Sequence, residues 1–287
     1  MKLKKNNQPT ILIVGASGLL GPYLAEAGAL HGNVFTAARK TGDFFCDLTV
    51  RDELDSLLSN VSPDWVINAV ALTDVDECEL KPELAEVMNH ILVSNLADVL
   101  PCSAKLLQIS TDQVYPDLSG PHQEENIGPV NVYGQTKLAG EKAALLRPNS
   151  LVIRTNFFGP SRTFGREGIY DFLVGNLSNN NPITLFGDIF FSPLHMRTLS
   201  NFVFDLLAVD AFGIFNIASR AGMSKSDFAK AIATKKKLDL SSAHVGVSSS
   251  VPSRAPRARD LRLDVTRLEE TLNIRMPTLQ EEINSNV

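Results

Sequence analysis

Two side chains in this sequence have the types and spacing of a proton-transfer pair. Tyr133 and Lys137 stand four residues apart in NVYGQTKLAG, and on a helix that spacing puts both on one face. A phenol ionises near pH 10 and is a poor acid or base at neutral pH. An ammonium beside it stabilises the phenolate, so the pair could move a proton to or from an oxygen. A second group lies near the start, where ILIVGASGLLG carries Gly15, Gly18 and Gly21. Gly15 permits a tight turn, Gly18 lets the backbone approach a pyrophosphate, and Gly21 allows a helix to pack on the preceding strand. With Ser17, Leu19 and Leu20 they form a loop whose helix N-terminus presents amides and a positive dipole end to phosphates. A third group closes VFTAARK as Arg39 and Lys40. NAD sites place a carboxylate there for the ribose 2′-hydroxyl. Two cations suit a 2′-phosphate instead, which points to NADP(H).

The elements that must position these groups are legible as a rhythm of short apolar runs and longer amphipathic ones. Strands are expected at 10–14, 33–38, 43–46, 65–69, 105–110 and 150–154, and helices at 19–31, 50–60, 82–100 and 131–146. This is the pattern of a Rossmann-type, doubly wound parallel sheet with helices on both faces, an α/β fold. Beyond residue 154 the rhythm weakens. Helices are expected at 199–209, 224–233 and 266–272 and a strand at 213–218. The expected division is an NADP(H)-binding domain over 1–160 and a smaller C-terminal α/β substrate lobe over 161–287, interleaved with the sheet.

Composition narrows the class. The 287 residues are 44% hydrophobic and 21% charged, with a net charge of −5. That is ordinary for a soluble enzyme and argues against a nucleic-acid binder. Cys46, Cys78 and Cys102 have no paired spacing, so neither a zinc site nor a disulfide framework is expected, and a reducing cytoplasm is the simplest home. The lysine-bearing start is followed by too short an apolar run for a signal peptide, and no segment reaches the roughly 20 apolar residues of a membrane span. The sequence leaves room for a homodimer.

Several blocks together resemble one family. GASGLLG at 15–21, CDLT at 46–49, INAVALTDVDECE at 67–79, ISTDQVY at 109–115, NVYGQTKLAGEKA at 131–143, RTNFFG at 154–159 and RARDLRLDVTRL at 257–268 are similar to the extended short-chain dehydrogenases/reductases. Among these they are closest to the dTDP-4-dehydrorhamnose reductase family. The resemblance spans nearly the whole chain and is loose from about 160 to 250. It implies NADPH-dependent reduction of a 4-keto group on a nucleotide-activated deoxysugar, a step of dTDP-rhamnose and polysaccharide biosynthesis. On this analogy Tyr133 protonates the carbonyl oxygen, Lys137 holds the nicotinamide ribose, and Thr111 hydrogen-bonds the carbonyl. Asp47 and Leu48 lie near the adenine, and Ala69, Val70 and Ala71 line the cofactor path. Thr73, Asp112, Asn156 and Arg257 face the substrate. No metal is implied.

The sequence also departs from the family. Val70 stands in NAVA where NAAA is commoner, Asn156 where serine is usual, and Ala258 where proline follows the arginine. Gln113 follows Asp112 where dehydratases carry a glutamate, and an amide cannot take a proton in that role, so dehydration does not fit. An epimerase would use the same tyrosine and lysine but keeps NAD, which Arg39 and Lys40 oppose. A non-catalytic alternative is an NADP-binding regulatory subunit resembling that of methionine adenosyltransferase. Other residues read more simply as structure: His195 as a core or loop histidine, Lys235 to Lys237 as a solvated helix end, Asp74, Asp76, Glu77 and Glu79 as a solvated helix approach, and Trp65 as packing. Arg259 and Arg262 share the arginine-bearing segment with Arg257 and serve equally as a surface loop, and Ser248 to Ser250 reads as a mobile loop near the substrate mouth. Replacing Arg39 by Ala is expected to weaken NADPH binding far more than NADH binding. Equal losses in fluorescence titrations would show that Arg39 does not read the 2′-phosphate.

Overall fold

Apolar runs that end in glycine, asparagine or a loop form the strands of a seven-stranded sheet. The computed structural model describes residues 8–251 and 254–287; the lysine-bearing start, 1–7, and Pro252 and Ser253 lie outside the described residues. In chain order the first part runs β1 (Thr10–Val14), α1 (Gly21–Gly28), β2 (Asn33–Ala38), β3 (Phe44–Phe45), α2 (Arg51–Val61) and β4 (Trp65–Asn68). It continues with α3 (Val75–Leu80), α4 (Pro82–Glu86), a π turn (Val87–Ile91), α5 (Leu92–Val99), β5 (Lys105–Ile109), α6 (Val132–Leu145) and β6 (Leu151–Thr155). The sheet order is Gly213–Ile217, β6, β5, β4, β1, β2, β3. All the pairs from β3 to β6 are parallel. This is the expected doubly wound fold, and its order reverses between β1 and β4, the crevice where such sheets bind ligands. Ile11 to Val14 are fully buried, as a strand covered on both faces requires.

The chain divides into two compact units, each made of several chain segments. One comprises 1–110, 132–153 and 200–214, and the other 111–131, 154–199 and 215–287. The physical reason is that the chain leaves the C-terminal ends of β5 and β6 into the second unit, and returns to the first for α6 and the helix segment 200–208. The first unit's core joins Leu12, Val14, Leu54, Leu58, Val66, Leu96 and Leu106. The second is built on Phe158, Tyr170, Leu173, Phe191, Phe228, Leu261 and Ile283. Its small strands pair Ile183–Phe186 with Ala243–Gly246, and Phe190–Phe191 with both Met223–Ser224 and Asp260–Leu261. Around Arg154 it holds a buried polar network. Arg154 donates to the Tyr115 hydroxyl at 3.1 Å, Tyr115 donates to Asn216 Oδ1 at 2.6 Å, and the Asn216 amide donates to the carbonyls of His122 and Asp264.

The helices Ile169–Ser178 and Leu279–Asn286 and the small strands of the second unit are not expected from the sequence, and three further segments differ from that reading. The acidic stretch after β4 is itself a helix, α3, capped by Asp74 through the Glu77 amide at 2.9 Å. The expected continuous helix over 82–100 contains the π turn. There Asn89 places its side chain on both backbone groups of Leu72, accepting its N–H at 2.9 Å and donating to its carbonyl at 3.1 Å. Ser248–Ser250 forms a 3-10 turn held by Asp188, which accepts the Ser248 amide and hydroxyl. The π turn also lets α6 approach closely, since a Cβ on Gly140 would lie 2.1 Å from the Asn89 carbonyl oxygen. Gly140→Ala must push these helices apart. A loss of about 1–3 kcal/mol is expected, read as a lowered urea midpoint, and an unchanged midpoint would show that the helices separate freely.

Candidate active site

The glycine loop follows β1 and meets the segment that follows β4. Gly15 takes φ +83°, its amide donates to the Ala37 carbonyl at 3.0 Å, and a Cβ there would lie 2.7 Å from the Val70 amide nitrogen. A Cβ on Gly21 would lie 2.3 Å from the Ala16 carbonyl oxygen, so α1 rests directly on the loop. No side chain caps the start of α1, where Pro22 occupies the first turn. Amides at an uncapped helix start are free to donate to the oxygens of a phosphate. Ser17, Gly18 and Leu19 are half-buried along the loop, and Leu20 is buried. This cradle, which any side chain at Gly15 would fill, fits the diphosphate of a dinucleotide.

Arg39 and Lys40 are exposed just past β2. The carboxylates near them are engaged locally. Asp43 accepts the Thr36 amide and hydroxyl, each at 2.8 Å, and Asp47 accepts the Thr49 hydroxyl at 2.7 Å and its amide at 3.0 Å. Those bonds, with a smaller effect of the Arg39 charge, hold the Asp47 carboxyl below the usual range. Leu48 beside it is buried. Along β4, Asn68 Oδ1 accepts the Val70 amide at 3.0 Å, while its side-chain amide donates to Gln108 at 2.7 Å. Ala69 and Ala71 are half-buried and Thr73 is exposed.

Tyr133 and Lys137 both lie on α6 and are both buried. Tyr133 packs with Cys78 and Ala85. Lys137 Nζ donates to the Ile109 carbonyl at the end of β5, 2.7 Å away, and the same carbonyl accepts the Gln108 side-chain amide at 2.7 Å. Burial pushes the ammonium down to about 8, against the opposing field of Glu141. The start of α6 is fixed by Glu79, which accepts the Val132 amide at 2.8 Å. Its second turn is tied to Asn89, whose amide donates to the Thr136 hydroxyl at 3.1 Å.

The second unit holds the remaining candidates. Thr111 caps the 3-10 turn Asp112–Val114 by accepting the Gln113 amide at 3.2 Å, and its hydroxyl donates to Asp112. Asp112 Oδ2 accepts from Asn156 at 2.7 Å. Burial raises the Asp112 carboxyl to about 6, opposed by Asn156, by the Lys225 charge and by Thr111. Lys225 is pushed down to about 8 by desolvation, partly offset by Asp112, with Arg254 and Arg257 repelling it. Its ammonium lies 5.8 Å from the Phe191 ring centroid. Arg257 donates to the Ala255 carbonyl at 3.0 Å. Asn131 ties that segment to Gln113, donating to the Pro256 carbonyl at 2.9 Å and to Gln113 Oε1 at 3.1 Å. Arg259 and Arg262 are paired with Asp117 and Asp260. His195 lies buried in the strand Leu194–His195.

A family model, the RmlD substrate binding domain, matches residues 9–287. The chain belongs to that family. Over 286 residues it is 28% identical to a probable low-salt glycan biosynthesis reductase of Haloferax volcanii, covering 94% of this chain and 95% of that protein. A hypothetical dTDP-4-dehydrorhamnose reductase of Sulfolobus tokodaii superimposes with a TM-score of 0.84 at 29% identity, covering 94% of this chain and 97% of its own. A dTDP-4-dehydrorhamnose reductase of Bacillus anthracis, solved in complex with NADP, shares the fold with a TM-score of 0.86 at 22% identity over 97% of this chain and 98% of its own.

Asn89, Gln108, Glu141 and Lys225 escaped the sequence reading. A lysine in a first helical turn and polar residues inside helices or strands look like solvated positions until the partners are known; the one signal for Glu141 was its place four residues after Lys137. Among the described residues no acidic, histidine or cysteine cluster could hold a metal, and no helix is long and apolar enough to cross a membrane. The Asp112 carboxyl, near 6 in the fold against 3.8 unperturbed, carries an unfavourable charge above pH 6. Asp112→Asn removes that cost but also removes the counter-charge of Lys225, so the expected signature is in the pH dependence. Between pH 4 and pH 7 the wild-type urea midpoint should fall relative to that of Asp112→Asn, because only the wild type ionises a carboxyl whose folded value is raised. A constant difference between the two midpoints over that range would contradict this.

Proposed function

We propose that this protein is an oxidoreductase that uses NADPH to reduce a 4-keto group on a nucleotide-activated deoxysugar. The observation that carries the reading is the pairing of Tyr133 with a buried Lys137 on α6, with Lys137 Nζ on the last carbonyl of β5. In the same unit a glycine cradle stands where the strand order reverses. Relatives named as dTDP-4-dehydrorhamnose reductases or as a glycan biosynthesis reductase support the substrate class.

The bound cofactor would supply a hydride to the carbonyl carbon. Gly15, Ser17, Gly18, Leu19, Leu20 and Gly21 would hold its diphosphate, Arg39 and Lys40 its 2′-phosphate, and Asp47, Leu48, Ala69, Val70 and Ala71 its adenine side and path. Tyr133 donates its phenolic proton to the ketone oxygen. Lys137 stabilises the phenolate that remains and orients the ribose. Thr111 donates a hydrogen bond to the same oxygen, so its hydroxyl must turn from Asp112. Asp112, Asn156, Thr73 and Arg257 orient the sugar nucleotide, Arg257 by a forked contact to phosphate. Gln113 offers no acid or base for elimination, which leaves simple reduction. Three free cysteines, two of them buried, suit a reducing cytoplasm.

A panel of nucleotide-linked 4-keto sugars, followed by NADPH oxidation, tests the reading. Tyr133→Phe is expected to lower kcat by at least a hundredfold while leaving NADPH affinity nearly intact. Turnover at the wild-type rate in that variant would sink the mechanism, and no turnover of any sugar by wild type would sink the function.

A further inference from the structure

Glu141 is a buried carboxyl that the mechanism above does not use. It sits on α6 four residues after Lys137 and is 1% exposed. Its Oε1 accepts the hydroxyl of Ser110, the residue that follows β5. Lys137 donates to Ile109, the residue before Ser110. One helix therefore grips the end of β5 at two consecutive residues, once through a cation and once through a carboxyl.

The groups around Lys137 identify Glu141 as its counter-charge. From β5 come the Ile109 carbonyl and the Gln108 amide that shares it. The π turn contributes Asn89, bonded to Thr136, and α3 contributes Cys78, packed on Tyr133 with its thiol pushed up to about 11 by burial. The charge that favours the ammonium against its burial is Glu141.

We propose that Glu141 is a positioning residue that acts through Lys137, its carboxylate keeping the ammonium charged and fixed against the end of β5. The proposal rests on the reading of Lys137 as part of a reductase centre. Without the carboxylate, burial acts on Lys137 unopposed, and the lysine loses its proton at lower pH.

The test uses the full chain with Glu141→Gln, Glu141→Asp and Ser110→Ala. Two profiles are measured against pH: kcat for the keto sugar that wild type reduces, and NADPH affinity by fluorescence with no sugar present. In Glu141→Gln the alkaline limb of both is expected to move down by about one pH unit or more, with KM for the sugar little changed. Glu141→Asp, whose charge stands one methylene further from Lys137, should move the limb the same way by less. Ser110→Ala keeps the carboxylate and should leave the limb in place. Limbs at the wild-type position in Glu141→Gln overturn the proposal, as does an equal displacement by Ser110→Ala, which marks a merely structural role. If Glu141→Gln does not fold, Glu141→Asp decides, and an unmoved limb there overturns the proposal. A wild-type chain that reduces no keto sugar removes the functional reading alone, because the binding profiles still report on Glu141.

Discussion

An ammonium withdrawn from water must hand its protons to fixed acceptors, and much of the first unit is arranged so that Lys137 does so. Its proton goes to the Ile109 carbonyl, at the point where β5 ends and the chain leaves the sheet. The Gln108 amide donates to the same carbonyl, and Gln108 is bonded in turn to Asn68 and through it to the Val70 amide beside the glycine loop. A single run of hydrogen bonds thus joins the lysine of α6 to the segment that meets the glycine loop. Buried polar chains of this kind are stable only when every member is satisfied. Their benefit is precision in placing the groups at either end.

That precision depends on close backbone contacts. Gly15 meets the Val70 amide, Gly21 meets the Ala16 carbonyl, and Gly140 meets the Asn89 carbonyl. Each is a place where a side chain would force two elements apart, and each lies between elements that carry candidate residues. The π turn belongs to the same design. It brings Asn89 to the backbone of Leu72 and to Thr136 at once, linking the loop after β4 to α6. π turns inside helices are frequent at functional sites.

The second unit makes a different use of burial. Asp112 and Lys225 are opposite charges held away from water, each displaced towards neutrality, and neither is fully compensated. Lys225 acts on the Asp112 carboxyl, and Arg254 and Arg257 act in turn on Lys225. Such an arrangement costs stability in the free protein and is favourable towards an anionic ligand. It accords with the sugar-nucleotide substrate proposed for this protein.

The sequence by itself determined the order of strands and helices in the first part and the doubly wound class. It also located the glycine loop, the cations after β2 and the Tyr133–Lys137 pair. These are local matters: hydrophobic period, glycine spacing and a four-residue step on one helix face. It did not determine the two-unit division, because the reason the chain leaves the sheet after β5 and β6 is a matter of which segments pack together. It missed the π turn and α3, where a distant acceptor or a cap outweighs the local pattern. Glu141, Asn89, Gln108 and Lys225 became visible only through partners far away in sequence, since a polar residue in a helix reads as solvated until its burial is known. The loose stretch from 160 to 250 is where side chains from several short strands and helices combine, and there only the tertiary structure decided which cations stand near Asp112.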